Sequence, residues 1–155
     1  MSAYTIRPAV AADLDAVLYH RRRMFEDMGY TDPAGQVGML AISSPLIEQG
    51  LDDGNYCGWL AETAAGEVVA GAGVIFLAFH PNPADPRPRR AWVVNVFTEP
   101  AHRRQGLARR LMETIVAWCA AEGLSNLYLH ASDEARALYA DMGFVPTNEM
   151  RLRLR

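Results

Sequence analysis

Thr98-Glu99-Pro100-Ala101-His102-Arg103-Arg104-Gln105-Gly106-Leu107-Ala108-Arg109-Arg110 carries an apolar run into a proline turn and then into a long amphipathic segment. As ordinary structure it is badly built. The N-terminal end of a helix bears partial positive charge and favours carboxylates, yet His102, Arg103, Arg104, Arg109 and Arg110 gather there. Gly106, read as part of the first turn, adds about 1 kcal/mol of propensity cost relative to alanine. A bound anion answers both anomalies. Free amides at the helix start point at it, arginines neutralise it, and Gly106 and Ala108 keep side-chain bulk away from it. A phosphate or pyrophosphate is the natural guest. The alternative is a solvated basic turn in which Gly106 merely loosens the helix entry.

Working outward, the segment from Arg104 to Glu122 reads as a helix. Leu107, Leu111, Ile115, Trp118 and Cys119 lie on one stripe, and Gly123 is its stop. Upstream, Ala91 to Thr98 reads as a buried strand, because Trp92, Val93, Val94, Val96 and Phe97 leave no wet face. His80 to Arg90 holds Pro81, Pro83, Pro86 and Pro88 and must be a loop. Tyr56 to Glu62 and Val68 to Phe79 form a hairpin across Thr63 to Glu67. Nearer the N-terminus, Tyr4 to Arg7 is a short strand closed by Pro8. Ala12 to Met28 is a helix carrying Leu14, Val17, Leu18, Met24, Phe25 and Met28 at helical spacing. A second helix runs from Asp32 to Gln49, with Asp32 as N-cap, Pro33 at the first position, and an interruption or kink expected at Ser44-Pro45. Downstream come a strand from Asn126 to His130 and a short helix from Asp133 to Met142 ended by Gly143. Phe144-Val145 and Met150 to Leu154 are read as closing strands. This order gives an α/β or α+β layer fold in a single unit, 1–155.

Composition removes several function classes. The chain has 155 residues, half of them hydrophobic, with fifteen Lys and Arg against eighteen Asp and Glu for a net charge of −3. A general affinity for nucleic acid or anionic lipid is not expected from that balance, and the basic cluster is confined to one turn. Cys57 and Cys119 stand far apart, with no second cysteine or histidine pair near either, so neither a metal site nor a disulfide framework is expected. Met1 to Pro8 lacks the features of a leader. The longest apolar run, Val68 to Phe79, is too short to span a bilayer, so a soluble cytoplasmic protein without membrane partners is the expectation.

Two motifs in the expected order carry a family resemblance. Arg103, Gly106 and Ala108, with Pro100 three positions before the arginine, are similar to the signature of the GNAT superfamily of acyl-CoA-dependent N-acyltransferases. Some 30 residues on, Ala135, Leu138, Tyr139, Gly143 and Phe144 resemble that family's closing segment. The resemblance implies a mixed, mainly antiparallel sheet of six to seven strands with about four flanking helices. It implies acetyl-CoA as cosubstrate, a primary amine of a small molecule or peptide as acceptor, no metal, and a possible homodimer. It assigns the cofactor pyrophosphate to Arg103, Arg104, Gln105, Gly106, Leu107, Ala108 and Arg109. The pantetheine arm falls to the splayed strand at Val96, Phe97 and Thr98, whose unpaired backbone suits an amide-bearing ligand.

Acyl transfer to an amine needs a neutral amine, a donor for the oxygen that gains charge, and a proton for the departing thiolate. By resemblance, Tyr139 is the general acid for the coenzyme A sulfur; the alternative is a core aromatic beside Leu138 and Phe144. No carboxylate lies on Ala91 to Thr98 or Leu124 to Ala131, so the base is open. His130 is preferred over Glu99, His80 and a water chain held by Asn95. Ser132 stands where the family often has an asparagine on the cofactor. Around the acceptor, Glu26, Asp27 and Asp32 would attract a cation and Arg21, Arg22 and Arg23 a carboxylate, though all six read as solvated helix faces. The missing strand carboxylate also leaves room for a non-catalytic acyl-CoA-binding sensor.

Overall fold

The computed structural model describes residues 3–154; Met1 and Ser2, which begin the stretch read for a leader, and Arg155 lie outside them. Five strands form one sheet in the order β1-β2-β3-β4-β5: β1 (Tyr4–Pro8), β2 (Tyr56–Thr63), β3 (Val68–Ala78), β4 (Arg89–Thr98) and β5 (Leu127–Tyr128). The first three pairings are antiparallel, whereas β4 and β5 run parallel. Four α-helices flank it: α1 (Leu14–Asp27), α2 (Pro33–Asp53), α3 (Leu107–Ala121) and α4 (Arg136–Asp141). Among the described residues no helix is long and apolar enough to cross a membrane.

The period-two alternation of the strands sorts side chains onto two faces. On one, Trp59, Ala61, Ala72, Val74, Ala91 and Val93 meet Leu107, Leu111, Met112, Ile115 and Cys119 of α3. On the other, Tyr56, Ile75 and Val94 meet Val17 of α1 and Ile47 of α2. Space on that second face is made by glycine. A Cβ on Gly73 would stand 2.4 Å from the Tyr56 hydroxyl, and one on Gly71 2.7 Å from His20 Nδ1, so β3 must be bare where these two rings lie against it.

Helix α2 runs without interruption through Pro45, contrary to the expected break. Pro45 and Ala41 are both exposed, so the carbonyl that loses its intrahelical donor faces solvent rather than the core. Asp32 does cap this helix, its Oδ2 accepting from Gly35 N at 2.8 Å. The larger correction lies at the C-terminus. Phe144-Val145 and Met150–Leu154 form no strand, and among the described residues the sheet has five strands rather than six or seven. Met150, Leu152 and Leu154 alternate with arginines but pair with no strand among the described residues, and all three apolar side chains are more than four-fifths exposed. Period two needs a partner strand to become structure.

Candidate active site

The sheet opens at β4. Pairing with β5 covers only Ala91 and Trp92, through Leu127 and Tyr128. From Val93 to Thr98 the β5-facing edge of β4 pairs with no strand among the described residues. A β-bulge lies within this stretch: Gly71 and Gly73 of β3 face Phe97 and Val94, so β4 carries an extra residue between them. Asn95 holds φ 59° there, a left-handed conformation that asparagine tolerates better than most residues. The bulge breaks the alternation of faces. Val94 packs against the α1–α2 side, and Asn95, which strict alternation would send toward α3, joins it and bonds Arg21 and Tyr56.

Beyond Thr98, the chain passes a short 3₁₀ turn at Pro100–His102 and enters α3. Gly106 is not in the first helical turn. It is the N-cap, at φ 77°, and Arg104 two residues earlier holds φ 60°. The glycine is required by backbone conformation, and the helix proper begins at Leu107. No side chain caps this end. The backbone N–H groups of Arg104 through Arg109 find no acceptor among the described residues, the first helical bond being Arg110 N–H to Gly106 O at 3.0 Å. Consecutive unpaired donors at a helix start form an anion-binding concavity.

The arginines divide their work, which amends the expectation that all neutralise an anion. Arg103 donates to Thr98 O at 2.9 Å and pairs with Asp27 of α1 at 2.5 Å. Arg109 pairs with Asp141 of α4. Arg110 donates to Tyr4 O at 3.2 Å. Arg104 has no ion pair or hydrogen-bonding side-chain partner among the described residues, and it is exposed at the mouth of the N–H array. Gln105 accepts from the Tyr4 hydroxyl at 2.9 Å. The Leu107 side chain is in the core and that of Ala108 is half-buried, so both present backbone at the helix start. Val96 and Thr98 are half-buried and Phe97 is buried, its ring 5.3 Å from that of His20.

Tyr139 is 6% exposed and packs edge-on to Phe144 at 5.8 Å. Its hydroxyl has no partner among the described residues, and burial pushes its pKa up. His130 lies past the end of β5, exposed, its ring 4.8 Å from Trp92. Ser132 is occupied: its Oγ accepts from Ala135 N at 3.2 Å, and its carbonyl accepts from Arg136 N at 3.0 Å, so it holds the turn that leads into α4. Among the described residues no cluster of His, Cys, Asp or Glu could hold a metal ion.

Sequence reasoning missed a polar network between α1, α2 and the sheet. Arg21 is half-buried rather than solvated. Its Nη1 donates to Asn95 Oδ1 at 2.8 Å and its Nε to Ser43 Oγ at 3.1 Å, while the guanidinium carbon lies 5.1 Å from the Phe25 ring centroid. Asn95 Nδ2 donates to the Tyr56 hydroxyl at 3.0 Å. Burial pushes the Tyr56 phenol up to about 12 and pulls the Arg21 pKa down. A signal was available in the sequence: Arg21 is four residues after Val17 and four before Phe25, a charge on the apolar stripe. Beside it, Phe25, Tyr30, Asp32, Gly35, Gln36 and Met39 line a cleft of about 540 Å³ where α1 passes into α2.

A sheet split at its fourth strand, feeding a donor-rich turn at the start of the following helix, defines a class. Residues 18–144 match the model of the Acetyltransferase (GNAT) family, and the chain belongs to that family. It is 32% identical to a GCN5-related N-acetyltransferase from Ralstonia eutropha JMP134, with a TM-score of 0.89 over 97% of this chain and 98% of that one. A predicted acetyltransferase from Clostridium acetobutylicum, solved with acetyl-CoA, shares the fold at TM-score 0.86 and 24% identity, over 98% of this chain and 96% of that one. Human N-acetyltransferase 8 is 30% identical over 112 residues, 68% of this chain but 46% of that protein, so the match spans less than half of that relative. Family and fold together support acetyl transfer as the general reaction.

Proposed function

We propose that this chain, as one catalytic unit, is an acetyl-CoA-dependent N-acetyltransferase acting directly on a primary amine of a small molecule or peptide. The observation that carries the reading is the joining of an unpaired β4 edge to the free N–H array from Arg104 to Arg109. Coenzyme A combines a diphosphate with an amide-bearing arm, and these two features complement one each. The solution of the Clostridium acetobutylicum relative with acetyl-CoA supports the same choice of ligand.

In this arrangement the amides of Arg104 through Arg109 bind the diphosphate, with Arg104 as its free cation and Arg103 holding the turn against α1 through Asp27. Val96, Phe97 and Thr98 supply backbone groups to the pantetheine arm. Bound acetyl-CoA supplies an activated acyl group, whose C–S bond breaks as the C–N bond to the amine forms. Tyr139, a phenol whose pKa burial raises further above its ordinary value, delivers a proton to the leaving sulfur. The amine loses its proton to a base, for which His130 is the candidate on this chain. Ser132 contributes its hydroxyl to the cofactor only if that group leaves Ala135 N.

A thermal-shift series with coenzyme A, acetyl-CoA and longer acyl-CoAs tests the reading, because a ligand that binds only the folded state raises the midpoint by mass action. The expected result is a rise with each, together with thiol release from acetyl-CoA in a panel of amines. No rise with any of them removes the proposal. A rise without turnover of any amine favours an acyl-CoA sensor instead.

A further inference from the structure

Resting on that reading, we infer that the acceptor amine also carries a carboxylate and an apolar group, as an amino acid with an apolar side chain does, and that Arg21 receives the carboxylate beside the α1–α2 cleft.

Three observations converge on this assignment. The first is an unbalanced charge. Arg21 is inside the α1–α2 side of the sheet, and no carboxylate among the described residues pairs with it. The neighbouring acids are committed: Glu26 to Arg22 and Arg23, Asp27 to Arg103, and Asp32 to the start of α2. Its protein partners are the neutral oxygens of Ser43 and Asn95 and the sulfur of Met39. Taking a cation out of water without a counter-charge is costly, and guanidinium still has N–H donors in the fork geometry that fits a carboxylate.

The second observation is the cleft. Phe25 and Met39, both in contact with Arg21, are also two of its walls, and Tyr30 adds a third apolar surface. Gln36 lines the same cleft and is 8% exposed. Its Nε2 donates to Tyr30 O at 2.6 Å, while its Oε1 is buried with no donor among the described residues. The cleft thus holds an acceptor lacking a donor, and the cation in contact with two of its walls lacks an anion. A ligand bearing N–H, carboxylate and an apolar group completes both.

The third is position. Arg21 bonds Asn95, and Asn95 immediately precedes the Val96–Thr98 backbone proposed to hold the pantetheine arm. The bulge at Asn95 turns this side chain toward Arg21, so one strand addresses both substrates.

The test compares phenylalanine, phenylalaninamide and phenethylamine as acceptors with acetyl-CoA, and by calorimetric titration into the protein with and without coenzyme A. The free acid is expected to exceed the amide and the decarboxylated amine by about 30-fold or more in kcat/KM, since hydrogen bonds to charged groups are the strong ones. Arg21→Met should erase the preference and raise KM for the acid, and Arg21→Lys should restore part of it. Equal use of all three amines overturns the inference and leaves the acetyltransferase reading standing. Should acetyl-CoA fail to bind, that reading falls, and binding of phenylalanine over its amide by the wild-type protein still decides for or against Arg21. The wild-type comparison does not depend on how well the variants fold.

Discussion

The turn at Thr98–Arg110 and the polar network around Arg21 both adjoin α1 and β4 and are built on opposite plans. The turn works through its backbone. Its donors are consecutive N–H groups, its geometry is set by two left-handed residues, and most of its arginines brace it against other elements. The Arg21 pocket works through side chains drawn from α1, α2, β2 and β4, each bonded to another. A backbone site tolerates changes of side chain but not of conformation, and a side-chain site the reverse.

The widest gap between the two regions should come from Arg104→Glu combined with Gly106→Glu. Strain at φ 77° and a repelling charge at the N–H array are expected to weaken coenzyme A binding about 10³-fold or more, read as loss of the thermal shift. Tight cofactor binding by that variant would show that the array is not the diphosphate site.

Next in size is a pH effect that belongs to the helical side alone. Burial of His20 between α1 and β3 pulls its pKa from 6.5 to about 4. Its neutral form is favoured by folding, so the unfolded chain takes up the proton first as pH falls below 6.5. The corresponding stability is fully present above that pH and is lost as pH falls toward 4, about 3 kcal/mol in all. Urea titrations at pH 7, 5.5 and 4.5 should show this slope, and His20→Gln should flatten it. An unchanged slope in the variant would place the titration elsewhere.

Tyr139→Phe sharpens the comparison from the chemical side. Turnover should fall about 10²-fold while coenzyme A affinity stays within twofold, because the ring still packs against Phe144. Loss of stability with unchanged turnover would make Tyr139 a core residue only. The smallest effect is expected for Arg103→Ala, whose ion pair with Asp27 is well exposed. It should cost less than about 1 kcal/mol of stability in urea unfolding.

How legible each region was follows from the same contrast. Strand, turn, glycine and helix occur in unbroken sequence from Ala91 to Glu122, so the misfit of arginines at a helix start points to an anion from sequence alone. The sequence placed Gly106 inside the helix, since propensity alone does not distinguish a glycine paying a cost from one adopting φ 77° as an N-cap. As one charge run, Arg21, Arg22 and Arg23 read as solvated. Only the helix phase separates the first, on the stripe of Val17 and Phe25, from the other two, which pair with Glu26 at the surface. The alternation in Met150–Leu154 reads as a closing strand, but alternation specifies a face and not a partner.

Local patterns in the chain determined the succession of strands and helices, the α3 core stripe and the anion-seeking turn, because each depends on neighbours within a few residues. Tertiary structure decided that β4 parts from β5 after Trp92, that the bulge turns Asn95 toward α1, and that Arg21 is half-buried with no carboxylate paired to it among the described residues. Those outcomes depend on which surfaces meet across 74 positions of sequence, from Arg21 to Asn95. No short-range periodicity carries that information.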